Sequence, residues 1–489
     1  MVALRILYLG RSDAFDGVSS LVNIARGFFS YMQEADPEFY VQWVVPSGIK
    51  ASDLADVKMH DPARLDFLSL LAGRSPRTLG YMLPQELWKI VSQAKVPTPY
   101  DVILNNQLAL GPLYANVLAN RFQGGRYSVE TPMVNWQMWT ATMQQLQSVP
   151  EYYFGEIDVL AESLASLYAW NLWESPILLA SHLETMERWL KPTALEHIRQ
   201  RSEITPPGID TERLDLVHSA RNERLAAGES GPCLFWGGRL ANQKKVKTTF
   251  PLMERVRRQT DCKVLVTTMD ADAEWVRLEF PEWEVHSGVN EHEFGEFLAR
   301  GDVFLCNAAS ESYGAAWLEM LYVGLAGVYE EMWWNEHILP EDYPYRTPSR
   351  DEQVMTAIAL IRNWPVQVHD FREWLKGQHD RRGSALRMLA RMRIEHERAV
   401  AGARRMASNT MGRLTNQAAE EAWERWDSDE AMPIGRVTDR MTELSRTHRA
   451  FGRKGDPMSV MYLRRLLQAY GWRDIARSGL VELLPPGAT

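Results

Sequence analysis

Two groups of residues in the middle of the chain could carry chemistry, and the first is a glycine turn followed by two cations. Arg239 comes directly after the run Leu234-Phe235-Trp236-Gly237-Gly238, and Lys244 lies five residues further on. Glycines let a backbone turn tightly and let a ligand approach it closely. The two cations could hold a diphosphate through charge-assisted hydrogen bonds, each worth about 1.5–3 kcal/mol. Taken alone, the pattern also fits a simple turn with exposed basic residues.

The second group is the run Ser310-Glu311-Ser312-Tyr313-Gly314-Ala315-Ala316-Trp317-Leu318-Glu319. A glycine that opens a helix presents backbone N–H groups and the positive end of the helix dipole to an anion. Glu311 and Glu319 could bracket a polar ligand, and their charge favours hydroxyl groups over phosphate. The run therefore predicts contacts to sugar hydroxyls, although by itself it could serve only to cap a helix.

Both groups follow predicted strands of an α/β unit that we assign to residues 205–365. Apolar runs alternate there with helical patterns; the predicted strands are 233–236, 263–267, 283–286, 303–306 and 326–329, and the predicted helices are 248–260, 291–300 and one beginning near Tyr313. Such alternation predicts a parallel sheet covered on both faces. Ligand sites in such sheets lie at the carboxyl ends of the strands.

Residues 1–204 have the same alternation and are predicted to form a first unit. The strands are expected at 5–9, 40–45, 102–104 and 127–129, and helices at 21–32 and 84–93. The turn signal Pro206-Pro207-Gly208 is a plausible linker between the units. The predicted fold class is α/β, with two Rossmann-like doubly wound domains facing across a cleft and a C-terminal helical extension.

The C-terminal part of the chain differs in charge from the rest. Residues 372–489 carry a net charge of +7, whereas those before residue 372 carry −16. We expect residues 366–430 to be a helical segment that packs back on the body, and residues 431–489 to be a small basic helical module. A basic tail is compatible with a polyanionic partner such as DNA, and equally with a basic helix resting on an acidic body.

Composition excludes several other classes of protein. No run of about eighteen apolar residues could span a membrane, since the best stretch, 164–180, is interrupted by Asn171 and Glu174. The three cysteines lie far apart without CxxC spacing, which predicts core thiols in a reducing cytoplasm. No GxGxxG, Walker A, HExxH or GxSxG motif is present. We therefore expect a cytoplasmic protein without a transmembrane segment.

The two groups, in this order within one unit, resemble the retaining glycosyltransferases of the large bacterial family four, which have the GT-B fold. Three shorter segments fit the same order. Asp16-Gly17-Val18 is similar to the family's N-terminal glycine loop, Pro207-Gly208-Ile209-Asp210 to the start of its second domain, and Gly288-Val289-Asn290 to its base-contacting loop. The resemblance is good over 204–345 and loose over 1–200.

The resemblance implies a nucleotide-sugar pocket. Arg239 and Lys244 would hold the donor diphosphate, Glu311 the sugar hydroxyls and Glu319 the ribose. The remaining donor-binding positions that it implies are Gly17, Gly238, Val289, Asn290, Tyr313, Gly314 and Ala315. It further implies transfer with retained anomeric configuration and without a metal or other cofactor, from a UDP- or GDP-sugar.

The sequence departs from the family pattern at several positions. Lys245 replaces the glycine that usually follows the family's lysine, and the run Tyr329-Glu330-Glu331-Met332-Trp333-Trp334 stands where relatives often have glycines. Glu130 occupies about the place of a histidine of the first domain and is a further catalytic candidate. Asp270-Ala271-Asp272 offers a competing interpretation, because an Asp-x-Asp at a strand end can bind a divalent ion.

Three functions remain open. The first is a glycosyltransferase acting on a glycan, a lipid-linked saccharide or a small metabolite. The second is a phage-type DNA glycosyltransferase that modifies hydroxymethylated pyrimidines, with DNA bound through the basic C-terminal region. The third is a non-catalytic nucleic-acid-binding protein on a degenerate scaffold, which the joint presence of Arg239, Lys244, Glu311 and Glu319 disfavours.

Overall fold

The structure is a computed structural model. It describes residues 4–10, 20–45, 65–69, 100–106, 132–138, 156–228, 231–241, 244–270, 272–309, 311, 313–365, 371–407, 410–426, 431–447, 467–468, 470–477 and 480–486. The strand expected at 127–129 and the helix expected at 84–93 lie outside these residues. Among the described residues no helix is long and apolar enough to cross a bilayer.

The first unit is a seven-stranded parallel sheet with helices beside it. The strand order is β3-β2-β1-β4-β5-β6-β7. The elements are β1 (Arg5–Leu9), α1 (Ser20–Ala35), β2 (Tyr40–Val45), β3 (Leu65–Ser69), β4 (Val102–Asn105), β5 (Met133–Gln137), α2 (Glu156–Tyr168), β6 (Trp170–Trp173), α3 (Pro176–Met186), α4 (Pro192–Gln200) and β7 (Ser202–Ile204).

Buried amides cross the middle of this sheet. Asn105 of β4 donates to Asn135 of β5 at 3.0 Å, and Asn135 donates to Asn171 of β6 at 2.9 Å. All three are fully buried, and buried amides are tolerated when they bond to one another. Strands β5 and β6 were not predicted, because polar residues in the runs MVNWQ and WNLW hide their buried character.

The second unit is a six-stranded parallel sheet in the order β10-β9-β8-β11-β12-β13. The parallel α/β class and the two facing units are therefore as predicted. The elements are α5 (Thr211–Ala227), β8 (Cys233–Gly237), α6 (Val246–Thr260), β9 (Lys263–Thr268), α7 (Glu274–Glu279), β10 (Glu284–Ser287), α8 (Glu291–Leu298), β11 (Val303–Cys306), α9 (Ala315–Val323), β12 (Ala326–Glu330), β13 (Arg346–Thr347) and α10 (Arg350–Arg362).

The chain passes between the units twice, and the two crossings are bonded to each other. The Ile209 N–H donates to the His379 carbonyl at 2.7 Å, and the Arg381 N–H donates to the Ile209 carbonyl at 3.0 Å. Gly208 has a φ of +68°, and a Cβ there would lie 2.4 Å from the Cα of Arg381. Only glycine fits this crossing without a shift of the backbone.

After the second crossing, the chain returns to the first unit. Helix α11 (Arg372–His379) leads into α12 (Arg381–Ala407), which packs on α1 and completes the core of the first sheet with Ala385, Met388, Leu389 and Met392. Four ion pairs hold its arginines to acidic residues of the body: Arg382 with Glu34 and Glu212, Arg391 with Glu203, and Arg393 with Asp36.

The C-terminal region is not purely helical, which corrects the prediction for residues 431–489. It holds α13 (Thr410–Glu424), β14 (Met432–Pro433), α14 (Ile434–Thr447), β15 (Arg473–Arg477) and β16 (Leu480–Leu484). The three strands form an antiparallel sheet in the order β14-β16-β15. The charged run RDIAR of β15 lacks the apolar continuity that marks a buried strand, which is why sequence reasoning missed it.

Candidate functional site

The candidate site lies at the carboxyl edge of the second sheet, where the loops after β8 and β11 begin. Gly238 directly follows β8 with a φ of +152°, and a Cβ there would meet nothing within 4 Å. Its neighbour Gly237 is packed instead, since a Cβ there would lie 2.6 Å from Phe294. The first glycine thus serves close packing, and the second leaves room for a ligand beside the backbone.

Lys244 and Glu311, predicted to face one ligand, form an ion pair with each other. Both side chains are largely buried. The Nζ atom of Lys244 lies 5.4 Å from the ring centre of Trp317, whose indole N–H donates to Glu311 Oε1 at 3.4 Å. Burial, with Arg239 nearby, lowers the pKa of Lys244 to about 8. A cation and a carboxylate are therefore adjacent at the sheet edge.

Helix α9 begins beside this pair. Gly314 precedes it with a φ of +76°, in the left-handed region, and Ala315 is its first residue. Among the described residues no side chain caps this end of the helix. The N–H groups of its first turn and the helix dipole form a candidate anion site near Lys244, whose Nζ atom lies over Trp317 of this turn.

Arg239 is half exposed and lies 3.6 Å from Asp270 across the loop after β9. Asp270 also accepts from the Leu240 N–H and from Thr268 Oγ1, so it fastens the glycine turn to β9. Asp272 accepts from the N–H of Glu274 at the start of α7. Both acids of the Asp-x-Asp run thus bond to this protein's own chain, which favours the loop interpretation over a metal site.

The loop after β10 lies next to this turn but uses its polar groups internally. The N–H of Val289 donates to Thr268 O at 3.0 Å. The side chain of Asn290 caps α8 by accepting from the N–H groups of His292 and Glu293, and Glu293 accepts from the N–H of Asn290 in return. Val289 and Asn290 therefore lie beside the glycine turn, and the Asn290 amide oxygen is engaged in capping.

Glu319 does not join the Lys244 and Glu311 pair. It lies in the second turn of α9, with its carboxylate 3.1 Å from the guanidinium of Arg213. Arg213 also lies 3.5 Å from Glu291, which directly follows the Gly288-Val289-Asn290 loop. Burial raises the pKa of Glu319, and Arg213 opposes this shift. Sequence reasoning missed Arg213, whose only signal is its place in the first turn of α5, after Pro207-Gly208-Ile209-Asp210.

The side chain of Tyr313 turns away from the anion site. Its hydroxyl lies 2.9 Å from Nδ1 of the buried His379, at the second chain crossing. Tyr313 can therefore assist at the anion site only through its backbone. His379 was not predicted, because nothing in its local sequence marks a contact to a residue 66 positions away.

Two predicted site residues, Gly17 and Glu130, lie outside the described residues. Lys245, the departure from the family's glycine, has a φ of +47° and keeps the left-handed backbone that a glycine would adopt.

Two parallel α/β units with a site at the carboxyl edge of the second define the GT-B class of fold, as found in glycosyltransferases. No protein-family model matches the sequence, and no curated protein matches it significantly. Among solved structures, sucrose-phosphate synthase from Thermosynechococcus elongatus has a TM-score of 0.57 at 15% identity, over 80% of this chain and 98% of that chain.

Two other solved structures support the same fold. HepE from Anabaena, solved with UDP and glucose, has a TM-score of 0.55 at 11% identity, over 80% of this chain and 99% of that chain. WaaG, a glycosyltransferase involved in lipopolysaccharide biosynthesis, has a TM-score of 0.52 at 12% identity, over 80% of this chain and 99% of that chain. At these identities the likeness establishes the GT-B fold.

Proposed function

We propose that the protein is a retaining glycosyltransferase, similar to family four, that transfers a sugar from a nucleotide-sugar donor to a hydroxyl acceptor without a metal ion. The observation that supports it most is the ion pair of Lys244 and Glu311 beside the start of α9, which no side chain of the described residues caps. Cations and the N–H groups of a helix start both stabilise a bound pyrophosphate, and a sugar needs an acceptor for its hydroxyl hydrogens. This edge of the sheet supplies both.

Donor binding would separate Lys244 from Glu311, and each side chain would contact a different part of the donor. The diphosphate would take Lys244, Arg239 and the N–H groups of the first turn of α9, and a sugar hydroxyl would donate to Glu311. Lys244 then exchanges one anionic partner for another, whereas Glu311 exchanges the ammonium group of Lys244 for a neutral hydroxyl donor. HepE, which shares the fold, was solved in complex with UDP and glucose, so UDP-sugars are the first donors to test.

In the transfer step, the acceptor oxygen attacks the anomeric carbon as the bond from that carbon to the phosphate oxygen breaks. The acceptor's proton passes to an oxygen of the leaving diphosphate. Lys244, Arg239 and the helix start stabilise the negative charge that develops on the departing group, and preorganised charges of this kind lower a barrier without a metal. The role of Glu130 and Gly17 in this step stays a prediction.

Helix α12 gives less support to a DNA acceptor than the charge of the C-terminal region suggested. Arg382, Arg391 and Arg393 of α12 are paired with acidic residues of the body. Paired arginines release few counterions, so we expect any affinity of α12 for DNA to be weak and to depend little on salt. A steep loss of affinity for duplex DNA with added salt would restore the DNA alternative.

A donor-hydrolysis assay tests the proposal. Wild-type protein is expected to release nucleoside diphosphate from at least one sugar nucleotide, whereas Glu311→Gln is expected to bind UDP at least as tightly and to lose hydrolysis. The reason is that the substitution frees Lys244 from its partner while it removes the acceptor for the sugar hydroxyls. Unchanged hydrolysis by Glu311→Gln would show that the Glu311 carboxylate has no role in the mechanism.

A further inference from the structure

A cavity of about 150 Å³ lies where the two units meet. The first unit contributes Glu174 and Ile177, the linker contributes Pro206, and the second unit contributes Tyr313 and Trp334. Tyr313 belongs to the loop that carries Glu311 and Gly314. The cavity is therefore next to the candidate donor pocket, on the side of the two chain crossings.

One polar group of the cavity wall lacks a partner. His379 is 6% exposed and lines the cavity, and among the described residues its Nε2 atom has no hydrogen-bond partner. Its other nitrogen, Nδ1, lies 2.9 Å from the Tyr313 hydroxyl. An imidazole nitrogen buried without a partner costs free energy that a bound ligand can restore.

The contact with Tyr313 bears on the tautomer of this histidine. Burial raises the pKa of Tyr313 well above 10, so its hydroxyl keeps its hydrogen at pH 7 and can donate it to Nδ1 of His379. Burial lowers the pKa of His379 to about 4, so the ring is neutral at pH 7. When Nδ1 accepts the Tyr313 hydrogen, the ring carries its own hydrogen on Nε2, which can donate to a ligand oxygen.

The other walls are mostly apolar. Trp334 and Trp374 contribute indole rings, and the Trp334 N–H is already bonded to the Ala308 carbonyl at 2.9 Å. Buried Glu174 adds a carboxyl group that accepts hydroxyl hydrogens and repels anions. Apolar faces with a few polar groups match a sugar ring, whose C–H faces are apolar and whose hydroxyls need partners.

The rings that line the cavity are not all parallel. The His379 ring is tilted by 56° to Tyr313 and by 57° to Trp374, so it does not form a parallel slot for a flat ligand with either ring. Size agrees with a single ring, because cavities of about 150 Å³ admit a six-membered ring such as benzene.

We propose that this cavity is a subsite for one neutral sugar ring of the acceptor, held by Nε2–H of His379 and by the indoles of Trp334 and Trp374. The proposal rests on the proposed function, and it names the acceptor class as a neutral saccharide. It does not require this ring to be the one that receives the transferred sugar.

Saturation-transfer NMR on the full chain without nucleotide tests the subsite. The probes are D-glucose, D-mannose and N-acetyl-D-glucosamine, with glucose 6-phosphate and 5-hydroxymethyl-2′-deoxycytidine as counter-probes. At least one neutral sugar is expected to bind saturably, and His379→Phe and Trp374→Leu are each expected to raise its Kd at least about five-fold. The control is Trp333→Leu, which changes an exposed indole outside the cavity.

Several outcomes would overturn the subsite: no neutral sugar binds, the two cavity variants bind it as wild type does, or only the nucleoside or the phosphorylated sugar binds. Thermal unfolding of each variant checks that it folds. If His379→Phe does not fold, Trp374→Leu still tests the cavity, because Trp374 is partly exposed. Because the titration contains no nucleotide, it can fail while donor hydrolysis succeeds, and donor hydrolysis can fail while sugar binding holds.

Discussion

The guanidinium of Arg213 lies 3.1 Å from the carboxylate of Glu319, and both groups are largely buried. The two residues are 106 positions apart, in the first turn of α5 and the second turn of α9. Arg213 therefore fixes the orientation of the second acid of the motif. In the proposed enzyme, Arg213 is a positioning residue for the group assigned to the ribose.

Arg213→Ala is expected to destabilise the protein by about 3–5 kcal/mol, because it leaves the Glu319 carboxylate buried without its partner. Urea unfolding monitored by circular dichroism measures the loss. Arg199→Ala is the control, since Arg199 is exposed and pairs with Glu196 on the surface. Equal losses in the two variants would contradict the role of Arg213.

The stability that Arg213→Ala loses should depend on pH in a defined direction. Burial already raises the pKa of Glu319, and loss of Arg213 removes the opposing effect, so the pKa rises further. A carboxyl group with a raised folded-state pKa binds more protons in the folded than in the unfolded state, and stability then falls as pH rises through that window. The deficit of Arg213→Ala should be smaller at pH 5 than at pH 8.

Affinity for UDP is expected to fall as the pH rises from 7 to 9.5. Burial lowers the pKa of Lys244 to about 8, so the ammonium group that would hold the diphosphate is lost over this range. Isothermal titration measures the profile. Lys244→Arg, which stays charged throughout, should flatten it; a wild-type profile without any fall would exclude Lys244 as the titrating anchor.

Gly208→Ala is expected to lower stability by about 1–3 kcal/mol more than Gly228→Ala does. The two glycines have φ values of +68° and +66°, so the strain of the left-handed backbone is matched. A Cβ at Gly208 meets Arg381 backbone atoms, whereas one at Gly228 meets nothing within 4 Å. Thermal unfolding of both variants distinguishes the effect of the contact with Arg381 from the effect of backbone strain. Equal melting temperatures would contradict tight packing of the two crossings.

Lys245→Gly is expected to stabilise the protein by about 0.5–1 kcal/mol, because the left-handed backbone at this position costs a non-glycine residue about 1–2 kcal/mol. Lys247→Gly, two residues later inside α6, should instead destabilise by about 1 kcal/mol. Chemical denaturation measures both changes. Destabilisation by Lys245→Gly would mean that the lysine side chain contributes more than the strain removes.

The parallel α/β class could be predicted from sequence wherever strands are continuous apolar runs. Strands β1 and β2 are found over the predicted residues, 5–9 and 40–45. Strands β5 and β6 were missed because Asn135 and Asn171 look exposed in a sequence, although neighbouring strands satisfy them. Hydrogen bonding of a buried amide to a neighbouring strand is a property of the packed sheet, and no local sequence pattern predicts it.

The candidate site was predicted in part for the same reason. The types and spacing of Lys244 and Glu311 placed them at one sheet edge, since both follow parallel strands. Their direct pairing could not be predicted, and neither could the pairing of Glu319 with Arg213. For the arginines of α12 the sequence suggested the wrong kind of partner. Their charge suggested binding to another molecule, whereas in the structure they pair with acidic residues of the same chain.

Thermal-shift measurements with a panel of UDP- and GDP-sugars test the central claim most directly, because a ligand that binds only the folded state raises its apparent stability. At least one sugar nucleotide is expected to raise the Tm of wild type and of Lys247→Met, an exposed position on α6. Lys244→Met should lower the affinity for that sugar nucleotide by about 10- to 150-fold, and most of the Tm shift should be lost. A shift that persists in Lys244→Met, or no shift with any donor, would contradict a nucleotide-sugar pocket at this edge of the sheet.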